Sequence, residues 1–393
     1  MRIGYDLSAC GLAKTGARTV IDEVHRALRE IEGDHEIVDL HPNSPLRRRH
    51  STLGKIWSHV ERLVWSQWTV PRRARSLGCD VLYSHDYWTS LWGPTPRIVD
   101  FYDASFRRNP EHYHHLWRKL FNAVAVPAAR RAAAIITISQ HARRELVRYY
   151  GFDAGKIHPI TLAAKSAARV EVTSEEVVAL RAKWNIPADT YVVLHVGVLE
   201  RRKNLPMLIR AFANARQRLS RPVKLVLAGS APPQRDLDDS ANIRLTATNY
   251  EVEDSVVLPG FISNEELAAA YQIATIYAFP SKVEGFGIPL LEAFHNDLPV
   301  ISSNAMSLPE VAGEAAILLE PDAQEDWANA LVTLLENAEL RRDLARKGRL
   351  RAQQFSWHAA AKQILSICHE IVESRRHHHR SATLFYLKAR NYD

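Results

Sequence analysis

Short apolar runs alternate with amphipathic stretches along this 393-residue chain. Runs rich in β-branched residues predict buried strands at 2–6, 79–83, 96–101, 135–139, 157–162, 191–196, 223–228, 256–258, 276–279, 300–302 and 316–319. Between them, apolar residues recur at helical spacing, as they do over 15–31 and from residues 140 and 205 onward. Because strands alternate with helices, we expect an α/β fold with parallel, doubly wound sheets.

The length is sufficient for two domains, each with its own core. A polar, helical stretch from Ala163 to Lys183 predicts a linker and places a domain boundary near residue 185. We expect a first domain over 1–185 that includes this linker, a second domain over 186–355, and a helical, basic tail over 356–393. The helical period predicts that residues 340–373 are helical.

A glycine-containing loop joins the strand at 276–279 to a helix. At such a connection, free backbone N–H groups and the positive end of the helix attract phosphate or hydroxyl oxygens. Glu284 lies on the loop beside Gly285 and Gly287, and Glu292 lies about one turn inside the helix. The two carboxylates can therefore reach different parts of one elongated ligand. The alternative is an ordinary connection with two solvated glutamates.

A second connection of this type follows the strand at 191–196. Gly197 ends the strand, Arg202 and Lys203 follow, and a helix begins near Leu205. Two fixed cations on such a loop can neutralise a diphosphate. The alternative is a solvated basic turn.

These segments resemble glycosyltransferase family 4, the retaining sugar-nucleotide transferases of the GT-B fold. Residues 284–293, EGFGIPLLEA, resemble the family's E-x7-E motif, and 299–304 with 307–313, PVISSN and SLPEVAG, resemble the segment after it. Residues 197–204, GVLERRKN, are similar to its G-x-L-x-x-R-K-N segment. The resemblance implies two Rossmann-like domains facing across a cleft, with the last helix crossing back to the first domain. Ser307 and Glu310 additionally predict a capping box.

The resemblance also implies roles for these residues. Arg202 and Lys203 would bind the nucleotide diphosphate, and Glu292 would bind the ribose hydroxyls. Glu284 would hold the donor sugar together with the backbone of Gly285, Phe286 and Gly287. If the two cations neutralise the diphosphate, no metal or other cofactor is needed.

The first domain supplies weaker matches. Gly16 falls on a glycine-bearing loop that faces the cleft in the family, although a plain turn is an equal alternative. Tyr102 and Asp103 fall on a histidine and aspartate pair at the family's catalytic cleft. A phenol is a poor base near neutral pH, whereas imidazole is not. The alternative is a strand-end tyrosine and a helix-capping aspartate, and His85 could approach the same cleft.

Charge is concentrated in the first half. Residues 1–185 contain 28 Lys and Arg against 19 Asp and Glu, while residues 186–393 contain 23 against 25. A basic half favours phosphate-bearing or anionic-membrane partners, or is simply a soluble surface. No helix-turn-helix, zinc-finger or RNA-recognition signature is present, so we expect no nucleic-acid partner.

Apolar residues recur at helical spacing just after a cluster formed by Arg47, Arg48 and Arg49. This stripe comprises Leu53, Ile56, Trp57, Val60, Leu63, Val64 and Trp68. A basic, tryptophan-bearing helix can lie on an anionic membrane. Alternatively, the stripe packs on the first domain and the arginines are solvated.

We therefore expect a retaining transferase that moves a hexosyl group from a nucleotide sugar to a saccharide or lipid-linked saccharide in cell-surface polysaccharide assembly. GDP-mannose is the first candidate donor. The alternatives are a nucleotide-sugar epimerase of the same fold and a nucleotide-sugar-binding protein without activity. The chain has no membrane-length apolar run and no signal-peptide pattern, which predicts a cytoplasmic location, with or without peripheral contact to the inner membrane face. Residues 236–238 spell D-x-D, but no strand leads into them, so we expect a surface loop.

Overall fold

A computed structural model describes residues 1–11, 15–31, 33–42, 52–108, 110, 114–165, 172–233 and 235–390. The chain forms two compact units, one of Met1–Leu162 with Trp357–Asp393 and one of Ala163–Ser356. Each unit contains one six-stranded sheet in which all the paired strands are parallel. The expected α/β architecture with parallel sheets is therefore confirmed.

The first unit has its sheet in the order β2-β1-β3-β4-β5-β6. Its strands are β1 (Arg2–Asp6), β2 (Glu36–Leu40), β3 (Val81–Ser84), β4 (Arg97–Asp100), β5 (Ala134–Thr137) and β6 (Ile157–Pro159). Its helices are α1 (Thr15–Glu30), α2 (Thr52–Val64), α3 (Val70–Ser76), α4 (Ser105–Arg108), α5 (His115–Leu120), α6 (Val126–Arg131) and α7 (Gln140–Tyr150). Two π-helical turns, Trp65–Thr69 and Phe121–Ala125, connect α2 to α3 and α5 to α6. The strands β3, β4 and β5 are buried along their whole length, as expected for a parallel sheet covered on both faces.

The second unit has its sheet in the order β12-β11-β10-β7-β8-β9. Its strands are β7 (Tyr191–Val196), β8 (Val223–Ala228), β9 (Val256–Gly260), β10 (Ile276–Phe279), β11 (Val300–Ser303) and β12 (Ala316–Leu319). Its helices are α8 (Ser174–Lys183), α9 (Leu205–Arg216), α10 (Ser240–Asn249), α11 (Asn264–Ile273), α12 (Ile288–His295), α13 (Leu308–Ala312), α14 (Gln324–Glu336) and α15 (Ala338–Ala352). Its core lies between the sheet and helices α9 and α14, where Phe212 and Trp327 are fully buried.

The predicted linker differs from the structure in two respects. Its helix, α8, begins only at Ser174, where Thr173 and Glu176 form a capping box. The helix belongs to the second unit and packs against α11, because Lys183 pairs with Glu266 at 2.5 Å and Arg181 donates to the Ile273 carbonyl. The boundary between the units consequently follows Leu162 rather than residue 185.

The predicted helical tail is confirmed, and it contains two helices. Helix α15 ends at Ala352, and α16 (Trp357–Arg390) begins after a short break. Helix α15 packs on α12 in the second unit, whereas α16 belongs to the first unit and packs on α1. The apolar period continues across the break, which is why the sequence pattern alone did not reveal it.

The apolar stripe of α2 and the π-helical turn after it is partly packed and partly exposed, since Leu63 packs against the core of the first unit around Phe101 and Phe121. Trp57 is 54% exposed, and Val60, Val64 and Trp68 are also exposed. Trp68 contacts Trp92, which is itself half exposed, with ring centroids 5.9 Å apart. The three arginines at 47–49 and the side chains of Leu53 and Ile56 lie outside the described residues. Among the helices that the structure describes, none has the length and apolar character needed to cross a bilayer.

The loops that follow β7 and β8, which contain Gly197 and Gly229, meet at the carboxyl edge of the second sheet. Gly229 follows β8 with a φ of +154°, and a Cβ added there would lie 1.8 Å from the Gly197 carbonyl oxygen. Gly260 also has a positive φ, but a Cβ there would meet nothing within 4 Å. The contact between the two loops therefore requires glycine at position 229.

Replacement of Gly229 by alanine should destabilise the second unit. We expect the clash and the strained φ to lower its free energy of unfolding by about 3 kcal/mol. The matched control, Gly260→Ala, adds only the strain of a positive φ, on the order of 1 kcal/mol. Urea unfolding of the two variants gives the comparison, and equal midpoints would show that the loops do not meet as described.

Candidate functional site

The two connections singled out from the sequence meet at the carboxyl edge of the second sheet. Strand β10 pairs with β7, so the loops that follow them are neighbours. The Lys282 amide donates to the Arg202 carbonyl at 2.8 Å and ties the loops together. Residues more than 70 positions apart in the sequence are thereby placed in one cluster.

Glu284 lies between the two predicted diphosphate-binding cations. Its Oε1 atom accepts hydrogen bonds from Lys203 Nζ at 2.5 Å and from Arg202 Nη1 at 3.0 Å. Arg202 also pairs with Glu200 at 2.6 Å. Lys203 is buried and lies 4.8 Å from the centroid of the Phe279 ring, whereas Arg202 is partly exposed. The structure therefore brings Arg202, Lys203 and Glu284 together.

The carboxylates and cations of this cluster balance in charge, and these charges affect the pKa of Glu284 and of Lys203. Burial would raise the pKa of Glu284, but the charges of Lys203 and Arg202 outweigh it and lower that pKa to about 2. Burial lowers the pKa of Lys203, against the attraction of Glu284. Glu200 and Glu284 thus neutralise the two cations when no ligand is bound. An anionic ligand that bound Lys203 and Arg202 would have to replace these carboxylates as their partners.

Serine side chains hold the glycine loop in place. The Ser307 hydroxyl contacts the Glu284 carbonyl at 3.0 Å and the Phe286 carbonyl at 3.2 Å, and Ser303 donates to the Ser281 carbonyl at 2.5 Å. The predicted capping role of Ser307 is therefore wrong, because its hydroxyl makes no capping bond to α13. The hydroxyl bonds to the glycine loop instead, because the buried carbonyls of that loop need hydrogen-bond donors.

The loop residues between the two glutamates differ in what they offer a ligand. Gly287 has a φ of +105°, and an added Cβ would lie 2.7 Å from Leu308, so glycine is required there. The Phe286 side chain is buried against Phe355 and its carbonyl accepts the Ser307 hydroxyl, which leaves its backbone N–H for a ligand. Gly285 is only partly buried.

Glu292 is a buried residue of α12 with 2% of its surface exposed. The Tyr271 hydroxyl donates to its Oε2 atom at 2.8 Å. Burial raises the pKa of Glu292, while Lys165 and the Tyr271 hydrogen bond act in the opposite direction. Its position one turn into the helix agrees with the sequence prediction, but its packing against α11 was not foreseen.

The loop after β7 owes its shape to an asparagine. Asn204 has a φ of +57° and precedes the first turn of α9. Asparagine tolerates this left-handed conformation better than most residues, and its amide also donates to the Pro321 carbonyl at 2.7 Å. The left-handed backbone and this hydrogen bond explain why asparagine follows Lys203 in the motif.

The carboxyl edge of the first sheet holds a second polar cluster. Tyr102 is 7% exposed, and its hydroxyl donates to Asp100 at 3.2 Å. Burial, followed by the charge of Asp100, raises the pKa of Tyr102 well above its ordinary value. Asp100 also accepts hydrogen bonds from Tyr83 and His85, at 2.7 Å each. Tyr102 is thus a buried hydrogen-bond donor and no base.

The remaining sequence candidates of the first unit have local roles. Asp103 accepts the Ser105 amide at 2.9 Å at the start of α4, which is the helix-capping alternative, and it also contacts the Tyr87 hydroxyl at 3.4 Å. Gly16 lies in the first turn of α1, where an added Cβ would meet nothing within 4 Å. Among the residues that the structure describes around Gly16, none requires glycine at this position.

The sequence-predicted D-x-D segment is part of the surface of the second unit. Asp236 belongs to a short 3-10 turn, and Asp238 forms an isolated bridge with Glu200. Within the described ranges, no group of three or more His, Cys, Asp or Glu side chains is placed to hold a metal ion.

Sequence reasoning missed Glu200 as a partner of Arg202, Tyr271 as the partner of Glu292 and Ser307 as a support of the glycine loop. It also missed Asp100 as the centre of the polar cluster in the first unit. Glu200 could have been suspected from its place beside the cations. Tyr271 and Asp100 carry no local signal, because each reaches its partner from a different strand or helix.

Two family descriptions match the chain, one in each half. Residues 14–164 match the family described as Glycosyltransferase Family 4, and residues 178–351 match the family described as Glycosyl transferases group 1. The second match contains the whole cluster of Arg202, Lys203, Glu284 and Glu292.

The chain is also similar to named mannosyltransferases. It is 26% identical over 269 residues to O-antigen chain mannosyltransferase B of Escherichia coli, covering 68% of this chain and 69% of that protein. It is 29% identical over 229 residues to the serotype-specific mannosyltransferase WbdA of Escherichia coli, covering 58% of this chain. It spans only 27% of the length of WbdA.

Solved structures share the fold. Sucrose-phosphate synthase of Thermosynechococcus elongatus matches with a TM-score of 0.72 at 20% identity, covering 95% of this chain and all of that one. Anabaena HepE, solved in complex with UDP and glucose, matches with a TM-score of 0.68 at 19% identity, covering 93% and 98%. Together with the two family matches and the two parallel sheets, these similarities establish that the chain belongs to glycosyltransferase family 4, has the GT-B fold and is a glycosyltransferase.

Proposed function

We propose that this enzyme transfers a hexosyl group, with retention of anomeric configuration, from a nucleotide sugar to a saccharide or lipid-linked saccharide in cell-surface polysaccharide assembly. Mannose from GDP-mannose is the first candidate. The mannosyltransferase relatives and the R-K-N sequence at 202–204 support this choice. The UDP and glucose bound to Anabaena HepE support a nucleotide-sugar donor in general.

The observation that carries the proposal is the contact of Glu284 with both Lys203 and Arg202. Departure of a nucleoside diphosphate leaves negative charge on its phosphate oxygens, which fixed cations stabilise. When the diphosphate takes over Lys203 and Arg202, Glu284 is released from them. Its carboxylate can then accept hydrogen bonds from hydroxyls of the donor sugar.

The other candidate residues complete this assignment. Glu292 would receive the ribose hydroxyls, and the backbone of the loop that holds Gly285 and Phe286 would contact the sugar. With two cations at the diphosphate, the proposal requires no metal cofactor. Asp103 and Tyr102 would serve the acceptor or the sugar from the first unit, Tyr102 through its hydroxyl rather than as a base.

A thermal-shift panel of GDP-, UDP- and dTDP-sugars tests the donor. We expect GDP-mannose to give the largest rise in melting temperature, because a ligand that binds only the folded state stabilises it. Product analysis with methyl α-mannoside as acceptor should then reveal an α-linked disaccharide. An epimerised nucleotide sugar formed without acceptor would contradict the transferase assignment, and a larger shift with UDP- or dTDP-sugars would replace GDP-mannose as the donor.

Replacement of Glu284 by glutamine should separate binding from turnover. Without the competing carboxylate, Lys203 and Arg202 are free for phosphate, so we expect GDP to bind about fivefold more tightly, on the order of 1 kcal/mol. Transfer should fall by at least about tenfold, because the sugar loses its carboxylate partner. Calorimetric titration with GDP and initial rates of transfer measure the two effects.

Glu325 provides the matched control for this variant. It forms an exposed pair with Arg218 at 3.5 Å elsewhere in the second unit, so Glu325→Gln should change neither quantity. A Glu284→Gln variant with wild-type transfer would remove Glu284 from the site. Lys203→Ala should weaken GDP binding, and unchanged affinity would remove the diphosphate assignment.

We also propose that the first unit contacts an anionic membrane surface. Three exposed tryptophans, Trp57 of α2, Trp68 of the following π-helical turn and Trp92, which contacts Trp68, are side chains that favour a bilayer interface. Arg72 and Arg75 on the adjoining α3 are exposed and supply charge complementary to anionic lipid. A lipid-linked acceptor would be presented at such a surface.

Flotation with phosphatidylcholine vesicles, with and without phosphatidylglycerol, tests this contact. The wild type should float only with the anionic vesicles. The double variant that carries both Trp57→Ser and Trp68→Ser should not float, because it has lost the apolar side chains that insert into the bilayer. Leu245→Ser, which alters an equally exposed side chain of the second unit, should float normally. Flotation of the double variant at the wild-type level would contradict the membrane assignment. So would a wild-type dimer that the double substitution dissociates, because the tryptophans would then form a contact between two copies of the chain.

A further inference from the structure

A buried polar cluster at the carboxyl edge of the first sheet has one atom that the described residues leave unsatisfied. Strands β1, β3 and β4 are neighbours, and their carboxyl ends carry Asp6, His85 and Asp100. All three side chains are almost completely buried. In parallel α/β sheets this edge is where ligands bind.

Asp100 organises the cluster. Its Oδ1 atom accepts the Tyr83 hydroxyl, and its Oδ2 atom accepts His85 Nδ1 and the Tyr102 hydroxyl. Because a carboxylate only accepts hydrogen bonds, Nδ1 of His85 carries the proton. In the neutral ring, Nε2 is then left as an acceptor.

That acceptor has no hydrogen-bond partner among the residues that the structure describes. The rings of Tyr5 and Tyr83 lie on His85, each with its centroid 4.4 Å away, and their hydroxyls are bound to the Ile21 carbonyl and to Asp100. Asp6 is occupied by the Trp65 indole at 2.9 Å and the Ser8 amide at 3.0 Å. A buried polar atom left without a partner costs about 1–3 kcal/mol, which a ligand hydrogen bond would recover.

The turn after His85 is held in an unfavourable conformation. Asp86 and Tyr87 have φ values of +54° and +71°, which side chains other than glycine seldom adopt. The Tyr87 amide donates to the Asp100 carbonyl at 2.9 Å, and Arg62 donates to the Asp86 carboxylate at 2.5 Å. Two consecutive strained residues of this kind persist where the surrounding structure fixes them, as at functional sites.

We propose that His85 Nε2 accepts a hydrogen bond from a hydroxyl group of the saccharide bound during transfer, with Asp100 fixing the ring. The inference rests on the proposed transferase function. A hydroxyl fits better than a phosphate, because the ring is backed by a carboxylate and Arg62, the nearby cation, is already bound to Asp86.

Entry of the hydroxyl requires a small movement, since Nε2 has no exposed surface in the absence of ligand. Tyr102 is the most exposed member of the cluster, and its hydrogen bond to Asp100 is the longest of the three. If Tyr102 moves, its hydrogen bond to Asp100 is lost and the saccharide hydroxyl forms a new one with His85. The bond between His85 and Asp100 stays intact.

Two substitutions of His85 separate ligand binding from a structural role. Asparagine keeps a donor where Nδ1 meets Asp100 but has no atom at the Nε2 position. Glutamine places an amide oxygen near the Nε2 position but loses the donor to Asp100. If a saccharide hydroxyl binds Nε2, transfer activity should decrease from the wild type to H85Q and further to H85N. Melting temperature should instead decrease from the wild type to H85N and further to H85Q.

We expect H85N to reduce kcat/KM for transfer from the active nucleotide sugar to methyl α-mannoside by about 10- to 100-fold, the range for a buried group left unpaired. The thermal shift by free GDP should be unchanged in H85N, which verifies that the second unit is folded. His25 provides the control, because it also pairs with an aspartate, Asp39, and contacts Tyr5. H25N should retain wild-type transfer.

Hydrolysis of the nucleotide sugar without acceptor identifies the saccharide. If H85N lowers transfer and leaves hydrolysis unchanged, His85 contacts the acceptor, and if both fall equally, it contacts the donor hexose. An H85N variant within twofold of the wild type, or one more active than H85Q, would overturn the proposal. A wild-type chain inactive in both assays would instead count against the proposed function.

Discussion

The contact of Glu284 with Lys203 and Arg202 is the interaction on which the second unit's site depends. It joins the loops after two adjacent strands, and it places a carboxylate of lowered pKa between two cations at the edge of the sheet. Breaking such a buried pair by removing one partner leaves an uncompensated charge. The carboxylate thus occupies both cations, and under the proposed function a stronger anion would compete for them. A nucleoside diphosphate is an anion of that kind.

The two units place different chemistry at equivalent edges of their sheets. The second unit presents cations and backbone N–H groups, which suit phosphate. The edge of the first unit is built from Asp100, His85 and tyrosine hydroxyls, which suit a neutral, hydroxyl-rich ligand. Both edges rely on the same feature of parallel sheets, since the carboxyl ends of neighbouring strands bring together side chains from distant parts of the sequence.

The departures from the predictions have physical causes. Ser307 was expected to cap its own helix, but the carbonyls of the glycine loop compete for the same hydroxyl. The helix at 174–183 was assigned to a linker because it is polar, yet its pairing with α11 fixes it to the second unit. The stripe containing Trp57 and Trp68 could pack or face outward by its periodicity, and only the structure shows that these two side chains are exposed while Leu63 packs on the first unit.

The sequence by itself determined the α/β alternation and most strand positions, because periodicity and glycine loops are local signals. That Arg202, Lys203, Glu284 and Glu292 belong to one functional region also follows from ordered local motifs, and it stays a prediction. Only the tertiary structure decided which partners those residues have. It placed Glu284 against both cations, Tyr271 on Glu292, and His85 with Tyr102 on Asp100. Hydrogen bonds between different strands and helices depend on strand order and register, and no local pattern of residues encodes those two quantities.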